Sequence, residues 1–404
     1  MIEIFFLSSL NSIFYFSSGL FFAQKILDLE ITEEQSNIFK FVLYGGIFLA
    51  FLGLLLNFFI SLGKNLNTIL LIISFIYLFT VEKNILKKVL LYSLLIGFAC
   101  SILITYDNTY RPDAGLYHLP FTSVLNNEKI IIGLSNIHFR FGHTSVVQYL
   151  SALNYNWIFN INAVVLPTGV IYFAFLFYLI YEIKNTKNKN LLLFYFLLFS
   201  YFCLKLNRFS DFGNDAPAHI YYFFLSSLAL NYYLNLNKKK ISEIIILSAY
   251  IVFNKITLFL GSLIPIIFLF FKKKIFYFKI KPIIFISLFT ILFFLKNFLV
   301  SGCIAFPIEK TCIKNVLWFD GGINGYSSAK ITMLENEAWT KGWSDQKENT
   351  KSYEVYLSNY DWIEIWIKNH GKRTLKKLLP FLIFTIFVLL IILQIQRKQT
   401  ITKN

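Results

Sequence analysis

The sequence has few charged residues for its length. Asp, Glu, Lys and Arg together make up 15% of the 404 residues, whereas hydrophobic residues make up 56%. No soluble domain of this length could present such a composition to water. The chain is therefore predicted to use lipid as its main solvent.

Several motifs of soluble enzymes are also missing. The sequence contains no nucleotide-binding glycine loop, Walker motif, CxxC zinc pair or G-x-S-x-G elbow. A soluble cofactor is therefore not expected, and a divalent cation is the one cofactor candidate left. The apolar run that begins at Met1 has no basic region before it, so no cleaved signal peptide is expected. No repeat with a period of about 20 to 50 residues is present, which argues against solenoids and propellers.

Basic residues are present, and they occur in short runs between apolar segments. The net charge is +16. The runs are Lys87-Lys88, residues 184–189, Lys238-Lys239-Lys240 and Lys272-Lys273-Lys274. Such runs are typical of the cytoplasmic loops of membrane proteins and argue against nucleic acid as a partner. They place loops 107–161, 207–216 and 300–374 on the extracytoplasmic side.

Apolar runs long enough to cross a membrane fill most of the chain. We predict spans near residues 2–24, 38–61, 67–81, 88–106, 162–182, 191–206, 217–236, 281–299 and 375–395. Residues 241–271 are too long for one span and have lysines at both ends, which predicts two short helices broken around residues 254–257. The prediction is an all-α polytopic membrane protein with about eleven spans, given that one span needs roughly 20 apolar residues.

Three regions follow from these spans. Residues 1–299 are predicted to form a transmembrane helical domain that includes the extracytoplasmic catalytic loop 107–161. Residues 300–374 are predicted to form an extracytoplasmic loop or small cap. Residues 375–404 supply the last transmembrane helix and a cytoplasmic tail.

Polar residues are dense at the start of loop 107–161. Asp113 comes one residue after a proline, so it could cap or open a short helix. Arg111, Tyr117 and His118 lie close to it in sequence, and this is more polar function than one helix cap requires. The first interpretation is therefore a helix cap at Asp113, and the second is a functional site around it.

The same loop continues through His138, Arg140 and His143. Apolar residues at helical spacing follow in residues 146–153, which predicts a short amphipathic helix on the bilayer surface. Each histidine could serve only as an interfacial hydrogen-bonding group. Arg140 is the better candidate for a lipid phosphate, because guanidinium binds phosphate oxygens through two hydrogen bonds.

The second polar loop contains Arg208 and Asp211 and leads into Asp215 and His219. Asp215 could be the N-cap of the next span, with Pro217 in its first turn. On a continuous helix, Asp211, Asp215 and His219 would instead stack at i, i+4 and i+8 and could hold a divalent cation.

Lys255 lies at the predicted break within residues 241–271. A lysine at membrane depth costs a few kcal/mol unless it pairs or reaches water. Interrupted helices at that depth occur where they are buried in protein or line a cavity. Lys255 is therefore expected to face a polar cavity.

The last polar loop contains two cysteines nine positions apart, Cys303 and Cys312. On an oxidising side of the membrane they can close a small loop by a disulfide, worth roughly 2 to 3 kcal/mol. Aromatic residues follow them along the chain. They could pack a small cap, stack on a sugar ring, or form an interfacial belt.

Four short motifs together resemble a known family. They occupy residues 113–120, 138–143, 213–219 and 301–312, and the likeness extends over about residues 88–320. Their combination is similar to a bacterial branch of the GT-C superfamily, membrane glycosyltransferases that use polyprenyl-phosphate sugars. Each motif is short, so only the set is specific.

This resemblance implies a catalytic carboxylate in the first extracytoplasmic loop, and Asp113 is the matching position. A general base must reach the acceptor hydroxyl, and cations should stabilise the departing phosphate. The candidate residues for binding the substrate and its lipid phosphate are His118, His138, Arg140, His143, Arg208, Asp215, His219 and Lys255. The implied partners are a polyprenyl-phosphate-linked sugar donor, membrane lipids and a cell-surface acceptor, at a bacterial cytoplasmic membrane.

Two other functions are compatible with the sequence. An O-antigen polymerase or ligase also handles lipid-linked glycans and relies on arginines and histidines in a large outer loop. A transporter or flippase for lipid-linked sugars would place ionisable groups near the bilayer midplane. Most polar groups here gather at the predicted outer ends of the spans, which favours the transferase.

Overall fold

The computed structural model is mostly helical in the residues that it describes. These are residues 1–29, 35–106, 112–142, 145–206, 212–235, 241–272, 279–319, 327–345, 352–358, 360 and 362–401. Within these ranges the only bridge between extended segments is an isolated one that pairs Cys303 with Cys312. The all-α prediction is confirmed.

The chain divides into two compact units. The first unit comprises Met1–Phe306 and Thr311–Asp320, and the second comprises Pro307–Lys310 and Gly321–Asn404. The helices of the first unit are α1 Ile2–Lys25, α2 Gln35–Asn57, α3 Lys64–Tyr77, α4 Lys83–Tyr106, α5 Leu119–Asn127, α6 Val146–Leu153, α7 Leu166–Asn185, α8 Lys189–Leu204, α9 Asp215–Asn235, α10 Ile241–Asn254, α11 Leu263–Lys272 and α12 Ile280–Ser301. Those of the second unit are α13 Ser328–Thr340, α14 Tyr353–Ser358, α15 Trp362–Trp366 and α16 Lys372–Ile401. The predicted three-region division stays a prediction.

Six helical segments in the described part of the chain are long and apolar enough to cross a membrane. They are Ile2–Lys25, Ile38–Asn57, Lys83–Tyr106, Ala163–Asn185, Ile280–Ser301 and Trp362–Ile391. Shorter apolar helices occupy Lys64–Thr80, Lys189–Leu204, Ile241–Asn254 and Ile256–Ile267. These helices are compatible with a membrane protein, and the count of about eleven spans stays a prediction.

Helices α2 and α7 form the centre of the first unit. The most apolar window of each helix is 78% buried, whereas the corresponding windows of α4 and α12 are 39% and 28% buried. Much of the apolar surface of α4 and α12 is thus left exposed, as expected of helices that face lipid.

Helix α1 uses hydroxyl groups as well as apolar side chains to contact its neighbours. The Ser17 hydroxyl donates to the backbone oxygen of Ser74 on α3, and the hydroxyls of Ser18 and Ser74 lie 3.1 Å apart. Ser93 on α4 donates to Ser12 at 3.3 Å. Hydrogen bonds between helices contribute to association in lipid, where the hydrophobic effect no longer drives helices together.

Two glycines allow the closest approach between α1 and α2. A Cβ atom built on Gly19 would lie 1.7 Å from the Phe41 carbonyl oxygen, and one on Gly45 would lie 1.8 Å from the Tyr15 carbonyl oxygen. Real Cβ atoms essentially never approach another atom within 3.0 Å. The two backbones can therefore meet only because both positions lack a side chain.

The prediction that the helix at residues 146–153 lies on the bilayer surface is wrong. Helix α6 covers the expected residues, but all eight are buried, including Gln148 and Ser151 on the face predicted to be wet. A Cβ on Gly53 of α2 would lie 3.1 Å from Tyr149, so α6 packs closely against α2. The error arose because the polar Gln148 finds hydrogen-bond partners inside the protein rather than in water.

Asparagine side chains satisfy the C-terminal end of this buried helix. The carbonyl oxygen of Ala152 accepts hydrogen bonds from the Nδ2 groups of Asn67, at 2.9 Å, and Asn126, at 2.8 Å. The last carbonyls of a helix lack partners within the helix itself. Asn67 on α3 and Asn126 on α5 each supply a hydrogen-bond donor to this carbonyl, so α6 can end inside the protein.

A disulfide joins Cys303 to Cys312, the pair that the sequence predicts to close a small loop. Backbone hydrogen bonds from Ile304 to Thr311, at 3.1 Å, and from Ile313 to Gly302, at 2.9 Å, flank it. Gly302 ends α12 with φ of 74°, a left-handed conformation that favours glycine. The chain therefore reverses direction directly after α12.

Aromatic rings form a cluster within the second unit. The Trp343 ring packs edge-on against Tyr353, with ring centres 4.7 Å apart, and Trp339 lies 6.3 Å from Trp343. The Lys341 ammonium lies 4.8 Å from the centre of the Trp362 ring. These contacts favour internal packing as one role of the aromatic residues.

Candidate functional site

The helix break places Lys255 against Asp215. Helix α10 ends at Asn254, Lys255 is extended, and a 3-10 helix follows at Ile256–Ser262, so the predicted break is confirmed. The Lys255 ammonium nitrogen lies 2.5 Å from a carboxylate oxygen of Asp215, with the two side chains 24% and 42% exposed. Such a half-exposed pair contributes at most about 1 kcal/mol to stability, and its groups remain accessible to a ligand.

Asn254 fixes the break to α6. Its Oδ1 accepts hydrogen bonds from the Ser145 hydroxyl at 2.7 Å and from the Val147 backbone N–H at 2.8 Å, and its Nδ2 donates to the Tyr250 carbonyl at 3.0 Å. All of these groups are buried. Because the next residue is Lys255, the position of the ammonium depends on this anchor.

We expect Asn254→Ala to lower the free energy of unfolding by about 2–4 kcal/mol, because it leaves the Val147 N–H and the Ser145 hydroxyl without a buried acceptor. Thermal unfolding in detergent, followed by tryptophan fluorescence, measures the effect. Asn127→Ala is the matched control, because the Asn127 amide is exposed and bonds only within its own helix. Equal shifts in the two variants would contradict the anchoring role.

His118 is buried and lies near Asp215 of the ion pair. Its Nδ1 atom lies 3.0 Å from Nε2 of Gln148. Burial lowers the pKa of His118 to about 4, the carboxylates of Asp113 and Asp215 act in the opposite direction, and Arg140 lowers it further. His118 is therefore neutral near pH 7, and it lies within electrostatic reach of both carboxylates.

Asp113 lies beside Tyr117 and is exposed to solvent. It has helical backbone angles in the first turn and makes no capping hydrogen bond, so capping does not account for it. Burial raises the pKa of the Tyr117 hydroxyl, and the nearby carboxylate of Asp113 raises it further. The Arg140 guanidinium lies 5.3 Å from the centre of the Tyr117 ring. A cation and an exposed carboxylate therefore both lie near Tyr117.

The described site residues thus form one group, which we call the polar cluster: Asp113, Tyr117, His118, Arg140, Asp215 and Lys255. His138 lies next to it, because its Nδ1 accepts the Arg140 backbone N–H at 3.2 Å. Three further predicted positions, His143, Arg208 and Asp211, lie outside the described residues.

His219 lines a separate groove. This groove has a volume of about 330 Å³ and is bounded by α8, α9 and the 3-10 helix after Lys255. Its walls include Tyr222, Phe223 and Leu258. His219 follows Asp215 by one helical turn, so the groove begins next to the ion pair, and its aromatic and aliphatic walls suit an apolar chain.

The predicted cation site is only partly described. Asp215 pairs with Lys255, and α9 begins at Asp215 itself rather than after it. Among the described residues no group of three His, Cys, Asp or Glu side chains could hold a metal ion. Asp211, the third residue of the predicted set, is outside them, so no catalytic step is assigned to a metal.

Gln148 is the residue of the site that sequence reasoning missed. It bonds His118, and its Oε1 accepts the backbone N–H of Ser145 at 3.0 Å. Ser145 and Gln148 form a capping box at the start of α6. The pattern of a serine followed three positions later by glutamine could have revealed the helix start, but not the contact with His118.

The fold and the site define an all-α protein with apolar helices long enough to cross a membrane, in which carboxylate, cationic and imidazole groups from distant parts of the first unit meet. A model of the family DUF8201, described as a domain of unknown function, matches residues 1–403. The chain belongs to this family. No curated protein and no solved structure matches it.

Proposed function

We propose that this protein is a membrane glycosyltransferase. It moves a sugar from a polyprenyl-phosphate carrier to a cell-surface glycan, lipid or protein on the extracytoplasmic face of a bacterial cytoplasmic membrane. The observation that carries the proposal is the polar cluster, in which the exposed carboxylate of Asp113 and the guanidinium of Arg140 both act on Tyr117. The resemblance to the GT-C superfamily supports the same activity.

The chemistry requires a base and a stabilised leaving group. Asp113 takes the proton from the acceptor hydroxyl, whose oxygen then forms a bond to the anomeric carbon of the sugar. The bond between that carbon and the phosphate oxygen breaks, and its electron pair stays on the phosphate. Arg140 and Lys255 stabilise the negative charge that develops there.

The apolar groove beside His219 fits this proposal. A polyprenyl chain is long and apolar, and the groove presents Tyr222, Phe223 and Leu258 next to the Asp215–Lys255 pair. A carrier lying in it would place its phosphate near Lys255. The disulfide-closed loop at Cys303–Cys312 would then shape the acceptor side.

A transfer assay tests the function. Membranes with and without the protein receive a polyprenyl phosphate carrying radiolabelled glucose, and further samples receive other sugars. We expect label to move from the lipid fraction into a glycan, lipid or protein product only when the protein is present. If the label stays in the lipid carrier for every sugar offered, the proposal fails.

One observation favours a transporter of lipid-linked sugars as the second candidate. Glu243 and Lys296 are buried within the first unit, at 3% and 1% exposure; Glu243 is on the short apolar helix α10 and Lys296 on α12, which is long enough to cross a membrane. Glu243 accepts a hydrogen bond from Tyr44, and Lys296 donates one to Asn297. Buried ionisable groups often mark transport paths. Purified protein in liposomes that moves the carrier across the bilayer without forming a glycosidic bond would favour this function.

A further inference from the structure

The ring of His118 is held on several sides. The side chain is 5% exposed, and the neighbouring Tyr117 ring lies 4.3 Å from it between ring centres. Phe212 approaches edge-on at 6.2 Å. A Cβ atom built on Gly213 would lie 3.3 Å from the remaining ring nitrogen, Nε2. The Gly213 backbone can therefore lie against the ring edge that Nε2 occupies.

The amide orientation of Gln148 decides which nitrogen of His118 carries the proton. The backbone N–H of Ser145 can only donate, so the atom that faces it at 3.0 Å is the carbonyl oxygen Oε1 of Gln148. The NH₂ group of the same side chain then faces Nδ1 of His118 at 3.0 Å. An NH₂ group donates and never accepts, so Nδ1 must be the unprotonated nitrogen.

We infer that Gln148 is a positioning residue that holds His118 as a neutral imidazole with its proton on Nε2. His118 then presents a hydrogen-bond donor towards the segment Gly213–Asp215, which carries the ion-paired carboxylate. Resting on the proposed glycosyl transfer, His118 acts as a hydrogen-bond donor within the polar cluster and does not act as the general base. Asp113 keeps that role.

Two further observations agree with a neutral His118 ring and a fixed amide group of Gln148. Burial lowers the pKa of His118 to about 4, even with the carboxylates of Asp113 and Asp215 nearby. The Ser145–Gln148 capping box fixes the side chain of Gln148 within a fully buried helix. Gln148 cannot reverse its amide without losing the hydrogen bond from Ser145 and placing two donors face to face.

Nitrogen NMR of histidine side chains tests the inference without requiring activity. The full-length protein is labelled with ¹⁵N-histidine and studied in lipid bilayers by magic-angle spinning at pH 7. The chain has five histidines, and the His118→Gln variant identifies the His118 signals by their loss. We expect the wild-type protein to show Nδ1 unprotonated and Nε2 protonated. A proton on Nδ1, or on both nitrogens, would overturn the inference.

Substitution of Gln148 provides the second arm. Gln148→Glu places a carboxylate against Nδ1, so the proton should move from Nε2 to Nδ1. Gln148→Leu removes the donor without adding an acceptor, and the single tautomer of the wild type should become a mixture of two. An unchanged His118 spectrum in both variants would show that Gln148 does not set the tautomer. Because neither spectrum depends on transfer, loss of the proposed function would leave this result intact.

Discussion

Asp113→Asn is expected to lower the rate of sugar transfer by about 100-fold or more. Asparagine has nearly the same size as aspartate but cannot take the proton from the hydroxyl group that receives the sugar. The protein should stay folded and inserted, since Asp113 is exposed and makes no capping hydrogen bond. The transfer assay with a radiolabelled polyprenyl-phosphate sugar measures the loss. Tryptophan fluorescence during thermal unfolding checks that the fold is kept.

A carboxylate from the same polar loop supplies the control. Glu128 is exposed and follows α5, so Glu128→Gln removes one negative charge without touching the polar cluster. It should leave transfer within about twofold of the wild type. Full activity in Asp113→Asn would remove Asp113 from the mechanism. If Arg140→Ala lost activity while Asp113→Asn kept it, an O-antigen polymerase or ligase would become the better assignment.

Much of the helical framework could be predicted from apolar run length. The span predicted at residues 2–24 is α1 Ile2–Lys25, and the one predicted at 281–299 is α12 Ile280–Ser301. The break around residues 254–257 was also readable, because residues 241–271 are too long for one span and have lysines at both ends. These features depend on short stretches of sequence, so local patterns are sufficient to predict where the helices begin and end.

The environment of α6 could not be predicted in the same way. Its spacing of apolar residues is that of a surface helix, yet its polar residues lie inside the protein. Gln148 is satisfied by His118, 30 positions away, and the start of the helix by Asn254, more than 100 positions away. A polar residue predicts a wet surface only when no partner of this kind exists, and sequence spacing does not reveal distant partners.

The site was predictable as a set of residue types rather than as a set of contacts. Asp113, Arg140 and Asp215 were recognisable as polar groups in predicted outer loops, and Lys255 as a lysine at the predicted helix break. No pattern pairs Asp215, at the start of α9, with Lys255, which lies 40 positions away in the break after α10. That ion pair also weakens the prediction of a metal ligand at Asp215, because the lysine already balances the charge of this carboxylate.

The largest effect on stability is expected for Gly45→Ala. The new Cβ atom would lie 1.8 Å from the Tyr15 carbonyl oxygen, so α1 and α2 must separate by at least about 1.2 Å to restore a contact of 3.0 Å. The clash is with backbone, and no side chain can rotate away to relieve it. The hydrogen bond from Asn154 to the Tyr15 hydroxyl, at 3.0 Å, would be strained as well. We expect a loss of about 3 kcal/mol or more in the free energy of unfolding.

A second helical glycine separates the clash from the general effect of alanine in a helix. A Cβ on Gly169 of α7 would meet its nearest atom, the Cys100 sulfur, at 3.4 Å, which is an ordinary contact. Gly169→Ala should therefore be neutral or stabilising by up to about 1 kcal/mol, because alanine favours the helix more than glycine does. The apparent melting temperature and the yield of monodisperse protein in detergent compare the two variants. Similar behaviour of both would contradict the close approach of α1 and α2 at Gly45, whereas a loss confined to Gly45→Ala would support it.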